Sequence, residues 1–132
     1  MDGFMEEFRK KYIQGKLISG TGKGSYFVSM YSELMEKKLG FIPFPGTLNL
    51  RMEIIPQFNK TKKIILKKEG FGDVDCYPVT VWNRFLRNHF KGYLLRPHKT
   101  IHPENIIEII ALVSLRQELS LTDGDEVQCE LV

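Results

Sequence analysis

The chain has 132 residues, 42% hydrophobic and 27% charged, with a formal net charge of +3. That is one domain's length, enough to bury a core unaided, and it excludes wholesale disorder and a histone-like polycation. Eleven glycines and six prolines exclude a simple helical bundle and fit short segments joined by turns.

Residues 1–10 carry Phe4, Met5 and Phe8 at near-helical spacing and form an N-terminal extension, a short helix or a frayed start. Residues 11–132 read as a single domain. A strand is expected over 11–18, where Tyr12, Ile13, Leu17 and Ile18 are β-formers. Gly20, Gly22 and Gly24 then alternate with Thr21 and Lys23, and Tyr26-Phe27-Val28 is a short strand or the opening of a helix. Over 30–39, Met30, Tyr31, Leu34, Met35 and Leu39 share one helical face, Lys37 and Lys38 fall in the last turn, and Gly40 stops the helix.

Pro43 and Pro45 bar a continuing helix, and Gly46 turns the chain into an alternating strand over 47–52. Further strands are expected over 62–67, 75–82 and 93–95, the last stopped by Arg96-Pro97, and over 106–112. Ser114 and Gln117 fit a capping box for a short helix ending near Leu119. Asp123-Gly124 is a turn, and Val127, Cys129 and Leu131 alternate with polar residues in a final strand. Many short strands with only two short helices predict an all-β fold closed as a barrel.

Lys60, Lys62, Lys63, Lys67 and Lys68 flank the apolar triplet Ile64-Ile65-Leu66, which suits a solvated edge strand as well as an anion-binding face. His98 and His102 have the i, i+4 spacing of a helical zinc pair, but Pro97 and Pro103 bracket them, so no metal is expected there. The spacing of Cys76 and Cys129 neither requires nor excludes a disulfide. The first residues are acidic and lack an apolar stretch, and no run approaches a membrane span; a soluble, cytoplasmic protein is expected.

Three constellations could carry chemistry. The loop over 19–25 could cradle phosphate oxygens on its amides, with Lys23 adding charge, or be a flexible turn. It is neither a Walker loop nor a dinucleotide fingerprint. Thr47 and Asn49, two apart on a strand, face one side, either as polar surface or as hard neutral oxygens for Mg²⁺ completed by phosphates and water. Glu108 stands alone in Ile106-Ile107-Glu108-Ile109-Ile110, on the face of Ile106 and Ile110. A carboxylate there meets a structural donor or faces a ligand cavity.

Taken together, the glycine loop, Leu39-Gly40-Phe41-Ile42-Pro43-Phe44-Pro45-Gly46-Thr47-Leu48-Asn49-Leu50, Arg96-Pro97-His98-Lys99-Thr100-Ile101-His102, Ile107-Glu108-Ile109-Ile110-Ala111 and Leu115-Arg116 to Asp123-Gly124-Asp125 resemble the archaeal CTP-dependent riboflavin kinases. The resemblance runs in order from about residue 15 to the C-terminus, and Pro45-Gly46-Thr47-Leu48-Asn49-Leu50 is its most specific block. Lys23 stands where an acidic residue is common in that family, and Leu112 where a proline usually follows the alanine. The resemblance implies a six-stranded cradle-loop barrel, related to riboflavin synthase, that moves the γ-phosphate of CTP to riboflavin to give FMN and CDP. It implies that Thr21, Gly22, Lys23, Gly24, Ser25 and Tyr26 wrap the nucleotide and that Val113, Ser114, Leu115 and Arg116 complete its pocket. Thr47 and Asn49 would hold Mg²⁺, and Thr100 and Glu108 would contact the flavin, with Glu108 the candidate for any catalytic base. A monomer without membrane or nucleic-acid partners is expected. About a dozen residues precede the expected barrel, so the winged-helix domain that some relatives carry is not expected here. Two rivals stay open: a DNA-binding cradle-loop barrel acting in transcription, and a flavin carrier without kinase activity.

Overall fold

The computed structural model describes residues 12–20, 22–54, 57–58, 60–83, 85, 88–98 and 105–132. The expectation for residues 1–10 therefore lies outside the described residues. The described residues form seven strands and two α-helices, in chain order β1 (Tyr12–Ile18), α1 (Gly24–Leu39), β2 (Leu48–Met52), β3 (Ile64–Leu66), β4 (Val74–Asn83), β5 (His89–Pro97), β6 (Ile106–Ala111), α2 (Leu115–Glu118) and β7 (Glu126–Leu131).

All pairings are antiparallel, in the order β3-β4-β5-β6-β2-β1-β7, and a β4–β7 pairing closes the sheet. The long strand β4 makes closure possible because two partners share one of its edges. Residues 74–76 pair with β3 and residues 79–83 pair with β7. Six strands thus form the barrel, with β3 as a short appended edge. The exposed lysines Lys60, Lys62 and Lys67 flank that edge, where charge keeps a strand from pairing with other molecules.

The period-two pattern sorts the side chains. Leu48, Leu50 and Met52 of β2, Ile107 and Ile109 of β6, and Val127, Cys129 and Leu131 of β7 fill the barrel interior. A second apolar layer lies outside the wall, where α1 packs Val28, Tyr31 and Met35 against Leu66, Val74, Cys76, Leu95 and Ile110. Burying each such large side chain contributes about 1.5–3 kcal/mol. The Tyr31 hydroxyl keeps its hydrogen bond by donating to the Gly72 carbonyl at 2.6 Å.

Three expectations change. The first helix begins at Gly24, ahead of the apolar face that starts at residue 30, so of the two readings of Tyr26-Phe27-Val28 the helix opening holds and the strand falls; Val28 continues the buried stripe of Tyr31 and Met35. It ends as expected, with Gly40 at φ +90° returning its amide to the Glu36 carbonyl. Strand β5 begins at His89, four residues before the apolar segment that signals it, and runs through Pro97. Pairing with β4 along its whole length extends it past the point where side-chain pattern is informative. In the third, residues 60–62 form a 3₁₀ turn, so the strand after them shortens to Ile64–Leu66. Cys76 and Cys129 are both free and buried, one in each apolar layer.

Candidate functional site

Glu108 and Asn49 face each other across β6 and β2 in register, and Asn49 is in turn opposite Ile18 of β1. Both project from the outer wall, because their neighbours Leu48, Leu50, Ile107 and Ile109 point inward. Asn49 is only 7% exposed, with Nδ2 directed at the Thr47 carbonyl at 3.4 Å. The glycine loop covers it. A β-carbon added at Gly20 would lie 2.5 Å from Asn49 Nδ2, and one added at Gly24 would lie 2.5 Å from Thr47 Oγ1. One loop reaching both residues shows that Thr47 and Asn49 face the same side, as their spacing requires.

The turn before β2 sets Thr47 in place. The Phe44 amide donates to the Ala111 carbonyl at 2.8 Å, which pins the Pro43-Phe44-Pro45-Gly46 segment to the end of β6. Gly46 has φ +145°, a conformation that favours glycine, so the turn reads directly from the sequence.

Gly24 opens α1, and the Lys23 cap position supplies no side-chain hydrogen bond to the helix. The first amides of a helix have no intrahelical acceptor, so unpaired donors and the positive end of the helix dipole lie at the loop, where Gly24 packs against Thr47. No acidic residue stands in the first turn to neutralise them. That arrangement suits a bound anion.

A cleft of about 150 Å³ opens at the barrel mouth beside this wall, lined by Phe44, Gly46, Thr47, Leu48, Ile109, Ala111 and residues 113–116. It is smaller than the roughly 300–1,000 Å³ of sites that engulf a whole ligand, and takes a ring system more readily than an entire nucleotide. Thr47 belongs to both places: it lines the cleft and it touches the loop that covers Asn49. Leu115 begins α2, whose cap forms as expected, with Ser114 Oγ accepting from the Gln117 amide at 3.3 Å.

Of the residues singled out in the sequence, the fold brings together Gly24, Thr47, Asn49 and Glu108, and it joins Thr47 to Val113, Ser114, Leu115 and Arg116 through the cleft. Gly22, Lys23, Ser25 and the 69%-exposed Tyr26 stand on the solvent side of the same loop and helix start. Thr21 and Thr100 lie outside the described residues, as does His102. His98 pairs with Asp75 at 3.0 Å. Among the described residues no group of three or more His, Cys, Asp and Glu is placed to hold a metal ion. Thr47 and Asn49 each offer a neutral side-chain oxygen at this place.

Sequence reasoning missed two participants. Phe44 is 42% exposed and lines the cleft, a signal hidden because its segment reads first as a helix stop. Asp123 reads as a turn residue, yet its carboxylate accepts from Ser19 Oγ and, at 2.8 Å, from Arg116 Nη2. Those hydrogen bonds, Ser19's first and Arg116's second, hold its pKa below the ordinary aspartate value.

Residues 17–131 match the family model CTP-dep_RFKase, described as a domain of unknown function, DUF120. The chain is 39% identical over 140 residues to a riboflavin kinase of Thermococcus kodakarensis, covering 99% of this chain and 64% of that protein. It is 42% identical over 125 residues to one from Pyrococcus furiosus, covering 88% of this chain and 56% of the relative. Against a riboflavin kinase of Methanobrevibacter smithii it is 40% identical over 126 residues, covering 89% of this chain and 98% of the relative. The chain thus spans less than two-thirds of the first two relatives and nearly all of the third.

Proposed function

The chain belongs to the CTP-dependent riboflavin kinase family, and from that premise we propose that it transfers the γ-phosphate of CTP to the 5′-hydroxyl of riboflavin, giving FMN and CDP. The observation that carries this reading is the packing of Gly20 and Gly24 onto Asn49 and Thr47, with Glu108 opposite Asn49. It sets an anion-binding helix start, two hard oxygens and a carboxylate at one corner of the barrel.

In the reaction the bond from the γ-phosphorus to its bridging oxygen breaks, CDP leaves with that oxygen, a bond to the ribityl oxygen forms, and the hydroxyl proton is released to water. Such transfers depend on positioning and charge stabilisation. The loop amides and the start of α1 hold phosphate oxygens, and residues 113–116 complete the nucleotide pocket. Glu108 anchors the flavin by accepting hydrogen bonds, with Thr100 contributing from the preceding segment. A loose phosphoryl-transfer transition state asks little of a base, so anchoring is the role assigned to Glu108. Thr47 and Asn49 suit Mg²⁺, since hard neutral oxygens serve that ion when phosphates and water complete its octahedron. Held there, the ion would supply positive charge to offset that of the phosphates. The expected setting is the cytoplasm, as a monomer; among the described residues no helix is long and apolar enough to cross a membrane.

Incubation with riboflavin, Mg²⁺ and each nucleoside triphosphate in turn tests the reading. FMN formation with CTP well above that with ATP is expected. Equal or better turnover with ATP contradicts the donor assignment, and flavin binding without FMN from any donor returns the carrier reading.

A further inference from the structure

The two aspartates of the Thr122–Asp125 turn do different work. Asp125 builds the turn: its Oδ2 accepts from the Thr122 amide at 2.8 Å and from Thr122 Oγ1 at 3.3 Å. Backbone bonds then fasten the turn to the end of β1. The Leu17 amide donates to the Asp125 carbonyl and the Gly124 amide to the Leu17 carbonyl, each at 2.8 Å. None of these bonds uses the side chain of Asp123. That carboxylate is half-exposed and reaches outward with one oxygen to Ser19, the residue that begins the glycine loop, and with the other to Arg116 on the rim of the cleft.

Resting on the kinase reading above, we propose that Asp123 is a positioning residue that clasps the two halves of the nucleotide site, fixing Ser19 and Arg116 relative to each other. The halves come from chain segments about a hundred residues apart, and the clasp spans both with one side chain. Arg116 is 46% exposed and spends one guanidinium nitrogen on Asp123. Its remaining donors are thereby turned to a fixed direction beside the cleft, which cuts the ordering cost when an anionic ligand arrives. On the other side, Ser19 precedes Gly20, so fixing Ser19 sets how closely the loop lies on Asn49.

A structural turn residue and a clasp differ in what they move. The test measures CDP affinity by calorimetry, steady-state constants for CTP and riboflavin, and the melting temperature, for Asp123→Ala, Asp123→Asn, Ser19→Ala and the Asp123→Ala/Ser19→Ala double variant. Asp125→Ala serves as the control for the turn. Asp123→Ala is expected to weaken CDP binding and raise the CTP KM about tenfold, with kcat within about twofold and the riboflavin KM unchanged. Asp123→Asn keeps one acceptor oxygen and should lose less. Ser19→Ala should add little to Asp123→Ala, since both remove one clasp. Asp125→Ala should lower the melting temperature more than Asp123→Ala does.

Unchanged CDP affinity in Asp123→Ala, or full additivity with Ser19→Ala, overturns the clasp while leaving the kinase reading standing. A native chain with no affinity for CDP overturns both.

Discussion

Ile110 and Glu108 sit two residues apart on β6 and face the same side of the same wall, yet they end in opposite surroundings. Ile110 is fully buried beneath α1 with Met35 and Leu95. Glu108 lies opposite Asn49, where the cover is a loop of glycines and not a helix. The outer wall of the barrel is thus divided into a sealed part and a working part. A sixteen-residue helix covers the first with side chains that fill space. The loop leading into that helix approaches the second through Gly20 and Gly24, whose missing side chains let the backbone come close to Asn49 and Thr47. On the proposed function, stability belongs to one part and chemistry to the other.

That division is broken most severely by removing a sealing residue. Ile110→Ala leaves a cavity under α1 and should cost about 2–5 kcal/mol, lowering the melting temperature by on the order of 10 °C. Nucleotide and flavin affinity of the folded protein should stay within about twofold. Thermal denaturation beside ligand titration checks this, and a large affinity loss would mean that the two parts are not separable.

Asn49→Ala tests the working part. Turnover should fall roughly 10–100-fold and the Mg²⁺ concentration needed for half-maximal rate should rise, with riboflavin binding nearly intact. Unchanged Mg²⁺ dependence would return Thr47 and Asn49 to being a packed polar face. Glu108→Gln comes next in size. It keeps the shape of the side chain and removes its charge, so riboflavin should bind about tenfold more weakly, near 1.4 kcal/mol, with a smaller loss at saturation. A fall in turnover of roughly 10²–10⁴ with binding kept would make Glu108 the base instead. A lower melting temperature with neither change would make it structural.

The smallest effect concerns the two thiols. Burial pushes both Cys76 and Cys129 up from 9.0 to about 12. The folded state therefore favours the neutral thiol. This contribution to stability is full below the unfolded thiol's pKa and is lost as pH rises through the folded one. The native thiolate fraction is thus far below that of a free cysteine, so alkylation of the native protein should be slow. Cys76 lies under α1 and Cys129 inside the barrel, so Cys76 should label first if the helix opens locally. Equal rates would mean that helix and barrel open together.

Much of this division was legible in the sequence. The alternation around Glu108 and Asn49 already placed each on its correct face, because a strand's period of two leaves no third choice. The stop at Gly40, the Ser114 cap and the turn at Gly46 were legible for the same local reason. What was hidden depends on strands far apart in the chain. Nothing in the local pattern says that Asn49 pairs with Glu108, that β4 shares one edge between β3 and β7, or that Gly24 must lack a β-carbon because Thr47 lies against it. Asp123 escaped notice because its partners, Ser19 and Arg116, are defined only after the barrel closes.

Amide hydrogen exchange in the presence of Mg²⁺ with CDP and FMN, against the ligand-free protein, tests the central claim most directly. The account predicts added protection over residues 19–26, 113–116 and around Asn49 and Glu108, and none under the C-terminal half of α1 or along the lysines at 60–68. Protection confined to the lysine segment, or spread evenly over the barrel, would contradict it.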